Sequence, residues 1–237
     1  MTRVSHSLLD PWIAPAVPPL YRALRLPKRL PPEAIVGVGH LIAVGGAFAF
    51  AFATKIPWAG AVAALAVVGN HLCDMVDGTH ARSTGQCRNG GELLDHFADP
   101  LSFAAWMVGL GYTCGRLELA LVAVIFVFAT AVLTNVRAKI TGEFQLARFG
   151  PTEFKALLVG FGLTLTAVTI GAPEHAATIA TVLFATLCGA GVLQLIVGLI
   201  DAVRTVNAEG ATPDTTEWVW RTEVSEGTQT PAVHHDA

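Results

Sequence analysis

Charge is scarce in this chain. Only 14% of its 237 residues are Asp, Glu, Lys or Arg, against 53% apolar residues, and the mean hydropathy is +0.55. That balance excludes an ordinary soluble domain. Cysteine is also sparse. Cys73, Cys87, Cys114 and Cys188 form no CxxC pair and join no histidine at zinc spacing, which excludes a zinc module and leaves free thiols in or beside membrane helices. The formal net charge of −3 sums two compartments and a tail and carries little information. Nucleic acid is not an expected partner. No cleavable leader is expected, because the N-terminus is proline-rich and polar before its first long apolar run.

What the chain has instead is apolar runs of about 20 residues, the length that crosses a hydrocarbon core as a helix. Six spans are expected, near residues 34–54, 58–74, 91–113, 117–135, 151–170 and 176–203. The fold class is therefore all-α integral membrane, organised as a segment 1–30, a six-helix domain 31–206 and a polar tail 207–237, read as disordered. Residues 1–30 mix Leu8, Leu9, Trp12, Ile13, Leu20, Tyr21 and Leu24 with Arg22, Arg25, Lys28 and Arg29. This pattern suggests an amphipathic interfacial helix on an anionic leaflet, the plainer reading being a basic juxtamembrane linker. Trp218 and Trp220 in the tail are candidate membrane contacts. Six spans place both termini on one side. With that side cytosolic, only Lys55 and Arg116 of the 15 Lys and Arg residues fall outside, as the positive-inside rule requires.

Residues 74 to 99 interrupt this apolar scaffold at the cytosolic face. Asp74 and Asp77 are three apart and share a helix face; Gly91, Asp95 and Asp99 are four apart and share another. A hairpin joining the two helices lets four carboxylates converge. Converging carboxylates repel and need cations, and all-oxygen donors favour Mg²⁺, Mn²⁺ or Ca²⁺ over zinc. Two such ions suit displacement at phosphorus. Gly78 lets a bulky ligand approach the backbone, Gly91 lets the helices pack closely, and Arg82 lies one turn beyond Gly78 where it can pair with phosphate. Metal, arginine and glycine together suggest a bound pyrophosphate, with phosphoryl transfer as the chemistry. A cation carrier could also cluster carboxylates, but such sites usually lie at the bilayer midplane rather than at helix ends.

The spacing resembles the signature of the CDP-alcohol phosphotransferase family, D-x2-D-G-x2-A-R-x8-G-x3-D-x3-D, with every fixed position present: Asp74, Asp77, Gly78, Ala81, Arg82, Gly91, Asp95 and Asp99. The resemblance implies transfer of a substituted phosphate from a CDP-linked donor to an alcohol with release of CMP, two divalent cations (Mg²⁺ or Mn²⁺), and a homodimer. It implies that Asp74, Asp77 and Asp95 hold metal, with Asp99 a further candidate ligand, and that Asp74, Gly78, Ala81, Arg82 and Gly91 border the CDP group. Asp99 would ligate the second metal, deprotonate the acceptor hydroxyl, or both.

Residues 91–102 further resemble the GELFDHGCDSLS stretch of choline/ethanolaminephosphotransferases. His6-Ser-Leu-Leu9 is similar to the HSLL near the start of those enzymes, and Gly150-Pro-Thr-Glu153 to their GPxEG segment. In that branch the histidine after the third aspartate is a candidate base, here His96. The plainer role for His96 is a hydrogen bond to Glu92, one turn earlier. Where many family members carry an Asn, this chain has Glu33. Arg137, Lys139, Arg148 and Lys155 flank the cytosolic ends of spans four and five, as phosphate or acceptor contacts or as topological bias alone. Glu92 and Glu153 are further candidate substrate contacts, and His71, on the face of Asp74, a supporting partner.

The expected protein is a phospholipid-synthesising transferase of an inner (cytoplasmic) bacterial membrane with its site facing the cytosol. The preferred donor is CDP-ethanolamine or CDP-choline and the acceptor diacylglycerol or a similar lipid alcohol. The alternative is a CDP-diacylglycerol-dependent phosphatidyltransferase acting on glycerol 3-phosphate, serine or an inositol compound.

Overall fold

The computed structural model describes residues 2–147, 149–213 and 215. In chain order these form strand β1 (Thr2–Ser5), helix α1 (Asp10–Ile13), a 3₁₀ turn (Ala14–Ala16), α2 (Val17–Leu24), α3 (Pro32–Ala51), α4 (Ala59–Thr84), α5 (Asn89–Thr113), α6 (Leu117–Thr141), β2 (Glu143–Leu146), α7 (Pro151–Gly171), a second 3₁₀ turn (Pro173–His175) and α8 (Ala176–Glu209). Local sequence sets the breaks. Pro32 and Pro151 begin α3 and α7, where a missing N–H costs nothing. Gly85 and Gly142 end α4 and α6 at φ 71° and 74°, the left-handed conformation that only glycine adopts cheaply.

Among the described residues, five helices are long and apolar enough to cross a bilayer: α3, α4, α6, α7, and α8 with its preceding turn. The structure is that of a helical integral membrane protein. The expected third span corresponds to α5, which has 25 residues. Its first half carries Glu92, Asp95, Asp99 and the internal Pro100, so it has no stretch as long and apolar as those of the other five.

With lipid outside, burial of apolar surface contributes little to helix association. Close backbone contact and interhelical hydrogen bonds take over. Gly60 on α4 and Gly162 on α7 face one another, and a Cβ on either would strike the other's carbonyl oxygen. Asn70 on α4 donates to the Gly39 carbonyl on α3 (3.1 Å), and the Trp106 indole on α5 donates to the Ala43 carbonyl (2.9 Å). Phe50, Val67, Trp106, Met107, Leu158, Leu165 and Phe184 fill the core between these helices.

Two features differ from the sequence reading. The expected interfacial helix over 1–30 is divided into β1, the short α1, a 3₁₀ turn and α2. Prolines 11, 15, 18, 19 and 27 interrupt the segment, and Arg25 leaves α2 at φ 47°. The second is a small sheet inside an otherwise helical chain: β1 pairs in parallel with β2, with Thr2 opposite Glu143 and Ser5 opposite Leu146. Helix α8 also runs to Glu209, slightly into the expected tail. Trp218, Trp220 and the rest of that tail lie outside the described residues.

The N-terminal segment then crosses the motif end of the bundle. The His80 ring on α4 is fully buried, with Nε2 2.9 Å from the Leu30 carbonyl and Nδ1 2.9 Å from the Tyr21 hydroxyl. A carbonyl only accepts, so Nε2 carries the proton and Nδ1 accepts from Tyr21. Gln86 donates to the carbonyls of Lys28 and Leu30.

Candidate active site

The last turns of α4 and the first half of α5 meet as the spacing predicts. Asp74, Asp95 and Asp99 each offer one oxygen, and the three lie within 4.8 Å of one another. Asp77 lines the same small cavity of about 10 Å³ as those three, with Asn70, His40 and Ser102. His40 Nδ1 lies 3.0 Å from Ser102 Oγ. Asp77 Oδ2 is buried with no hydrogen-bond partner among the described residues. An orphaned carboxylate oxygen beside three others is the environment a hard divalent cation satisfies. The donor set fits the implied metals, and Asp74, Asp77, Asp95 and Asp99 are the residues that would hold them.

Lys155, near the start of α7, enters this cluster. Its Nζ is 2.7 Å from Asp74 Oδ2 and 3.6 Å from Asp99 Oδ1, and its side chain is 2% exposed. His71 Nδ1 lies 3.6 Å from Asp74 Oδ2, which places this histidine beside Asp74 as its spacing suggested.

The site has two flanks. On one, Arg82 is exposed and folds back over Gly78, its Nη1 3.3 Å from where a Cβ would stand. A side chain at position 78 would push the guanidinium away. Ala81 is half-buried on the next turn. Gly91 faces Glu33, whose carboxylate takes two hydrogen bonds from Arg88 (2.7 and 2.8 Å). The residue that stands in place of the expected Asn therefore joins α3 to the start of α5.

On the other flank a cavity of about 470 Å³ opens onto Asp74, Asp95, His96 and Asp99. Phe103, Phe126, Val127, Phe144, Phe149 and Phe154 give it apolar walls. Thr130, Thr134, Asn135, Gln145 and Gln194 supply neutral polar groups. Among the described residues none of its lining groups is Lys or Arg. Ser5 of β1 and Phe144 of β2 bring the small sheet into the wall. The His96 ring stacks on Phe144, centroids 4.9 Å apart and planes 25° apart. Both candidate bases, His96 and Asp99, thus face this cavity.

The remaining expected contacts are spread out. Glu153, 6% exposed, accepts from the Ser7 hydroxyl (2.6 Å), the amides of Leu8 (2.7 Å) and Leu9 (3.0 Å), and the Gly150 amide (2.9 Å). Thr152 donates to Asp10 (2.7 Å) beside it. The two short stretches that resemble HSLL and GPxEG therefore bind each other. Arg137 donates to Asp201, Gln145 and Thr205. Lys139 and Glu92 are exposed. Arg148 lies outside the described residues.

Sequence reasoning missed Lys155 as a partner of the aspartates, Phe144 as the support of His96, and Tyr21 with His80 as a buried strut. Lys155 stands in the second turn of α7, where a lysine ordinarily reaches back to the interface, so its position gave little signal of a buried partner. The strands carried none.

Comparison with known proteins agrees with the motif. The family model for CDP-alcohol phosphatidyltransferase matches residues 34–199, more than half of the chain. No curated protein matches it. The match spans both motif helices, the cavity walls of α6 and α7, and most of α8. The chain belongs to the CDP-alcohol phosphatidyltransferase family, membrane transferases that move a phosphate-containing group from a CDP-linked donor to an alcohol acceptor.

Proposed function

We propose that this protein transfers phosphoethanolamine or phosphocholine from its CDP-linked donor to diacylglycerol or a similar lipid alcohol. The observation that carries this reading is the apolar cavity of about 470 Å³ that reaches the carboxylates and both candidate bases. An acceptor with acyl chains suits phenylalanine walls.

In this reading the CDP group lies on the opposite flank, its pyrophosphate near Arg82 and over Gly78, where the missing side chain leaves room. The acceptor hydroxyl enters from the cavity and attacks the β-phosphorus. Its oxygen forms the new P–O bond as the bond to CMP breaks. The proton passes to His96 Nδ1 or Nε2, or to an Asp99 oxygen; the stack on Phe144 orients the His96 ring for this role. Two divalent cations on Asp74, Asp77, Asp95 and Asp99, Mg²⁺ or Mn²⁺, would supply charge neutralisation at the phosphate oxygens.

The membrane placement proposed with it has six spans, α5 completing the five apolar helices, and a cytosolic site. The cytosolic side then holds all basic residues but Lys55 and Arg116.

A donor assay tests the reading. Purified protein in detergent with diacylglycerol and Mg²⁺ is expected to incorporate label from CDP-ethanolamine or CDP-choline and release CMP. Label entering lipid only from CDP-diacylglycerol with a small alcohol would reverse the roles of donor and acceptor. Metal uptake with no nucleotide turnover on any donor would mean a carrier.

A further inference from the structure

Lys155 has no part in the reaction just described, yet it is among the most buried charged side chains in the molecule. It sits two residues after Glu153. The start of α7 therefore sends one charged side chain to the N-terminal segment and the other to the carboxylates. Its ammonium touches Asp74 of α4 (2.7 Å) and Asp99 of α5 (3.6 Å), and lies 5.5 Å from the centre of the Phe103 ring. Two carboxylates from two different helices and an aromatic face enclose it.

An ammonium so enclosed is no surface hook for a passing phosphate. A lysine on a membrane helix is costly unless paired, and four carboxylates at one point are costly unless neutralised. Each cost offsets the other. The close Gly60–Gly162 crossing packs α4 against α7, the helix that carries this lysine.

We propose that Lys155 is a positioning residue, a resident counter-cation that holds Asp74 and Asp99 in their converged arrangement before any divalent cation arrives. It leaves Asp77 Oδ2 without a hydrogen-bond partner among the described residues, and with it a part of the donor set open to metal. The carboxylate site would then be pre-assembled by the chain's own charge, and metal would complete it. This rests on the metal-binding reading of the four aspartates.

The test is the unfolding temperature of the full chain in detergent, with EDTA or with saturating Mn²⁺. Lys155→Met keeps the length of the side chain and removes its charge. It is expected to unfold about 6 °C or more below wild type in EDTA, since breaking a buried ion pair leaves uncompensated charge. Mn²⁺ is expected to recover most of that loss, so that the Mn²⁺-induced rise is at least about twice that of wild type. Lys155→Arg is expected to stay near wild type in EDTA. Adding Asp74→Asn to Lys155→Met is expected to restore part of the EDTA loss.

Equal losses with and without Mn²⁺, when Mn²⁺ does raise wild type, would make Lys155 a packing residue and overturn the proposal alone, as would no loss at all; a wild type that Mn²⁺ does not raise would overturn the metal-binding reading and the proposal with it. If Lys155→Met cannot be recovered folded in either condition, recovery of the double variant in EDTA supports the proposal and its failure overturns it. No donor, acceptor or turnover enters the measurement, so an error in the assigned reaction leaves its outcome unchanged.

Discussion

The two walls of the site are built in opposite ways. One is the α4–α5 hairpin, a single stretch of chain whose aspartates, glycines and arginine reach their places by helical spacing alone. The other is assembled from β1, β2, the start of α7 and the inner faces of α6 and α8, segments up to about 190 residues apart in sequence. The first wall carries the charges that a phosphoryl transfer needs. The second carries the apolar surface that, in the proposed function, would select the acceptor. If the proposed function holds, local spacing fixes the chemistry and tertiary assembly the choice of acceptor, so variants of the two walls are expected to fail differently.

The largest effect is expected on the hairpin. Asp74→Ala or Asp95→Ala should lower CMP release by at least about 100-fold with every acceptor, measured at saturating Mg²⁺. Selective loss with one acceptor alone would mean that the carboxylates do not serve the common step. Next comes the junction of the walls. His96→Ala is expected to lower kcat by about 100-fold, the scale of a positioned base, with the unfolding temperature near wild type. A loss under about threefold would assign the proton to Asp99.

On the assembled wall, Thr130→Trp should fill part of the cavity. The KM for the lipid acceptor is expected to rise about tenfold, with that for the CDP-linked donor unchanged. Equal changes in both would place the donor's own tails in the cavity. The smallest effect is expected at Glu153→Gln, which weakens the charge-assisted bonds to Ser7, Leu8, Leu9 and Gly150. The unfolding temperature should fall by a few degrees, about 1–3 kcal/mol, with kcat within a factor of a few. A loss of kcat without loss of stability would mean that Glu153 touches substrate.

The same division explains what was legible in the sequence. The hairpin was legible because three- and four-residue spacings translate directly into a shared helix face. The apolar helices were legible because the bilayer imposes their length. The β1–β2 pairing was not, since two four-residue strands about 140 residues apart carry no periodicity that distinguishes them from linker. His80 falls at one of the two unspecified positions between Gly78 and Ala81 of the motif, so the spacing assigns it nothing. It is instead a buried strut bound by Tyr21 and Leu30, so His80→Ala is expected to lower the unfolding temperature rather than remain silent. In the sequence Lys155 is one more cytosolic charge, and only the packing of α7 on α4 turns it toward Asp74. The similarity of residues 6–9 and 150–153 to separate family segments was visible, but nothing local indicated that Ser7 and Glu153 bind each other.

The assignment of the two flanks is the claim on which the rest depends. A photoactivatable diacylglycerol, crosslinked to the purified protein in the presence of CMP and Mg²⁺ and mapped by peptide mass, tests it most directly. Labelling is expected on the peptides of α5, α6 and β2 that hold Phe103, Thr130 and Phe144, and to be lost in Thr130→Trp. Labelling confined to the lipid-facing surfaces of α3 and α4, unchanged by Thr130→Trp, would contradict it.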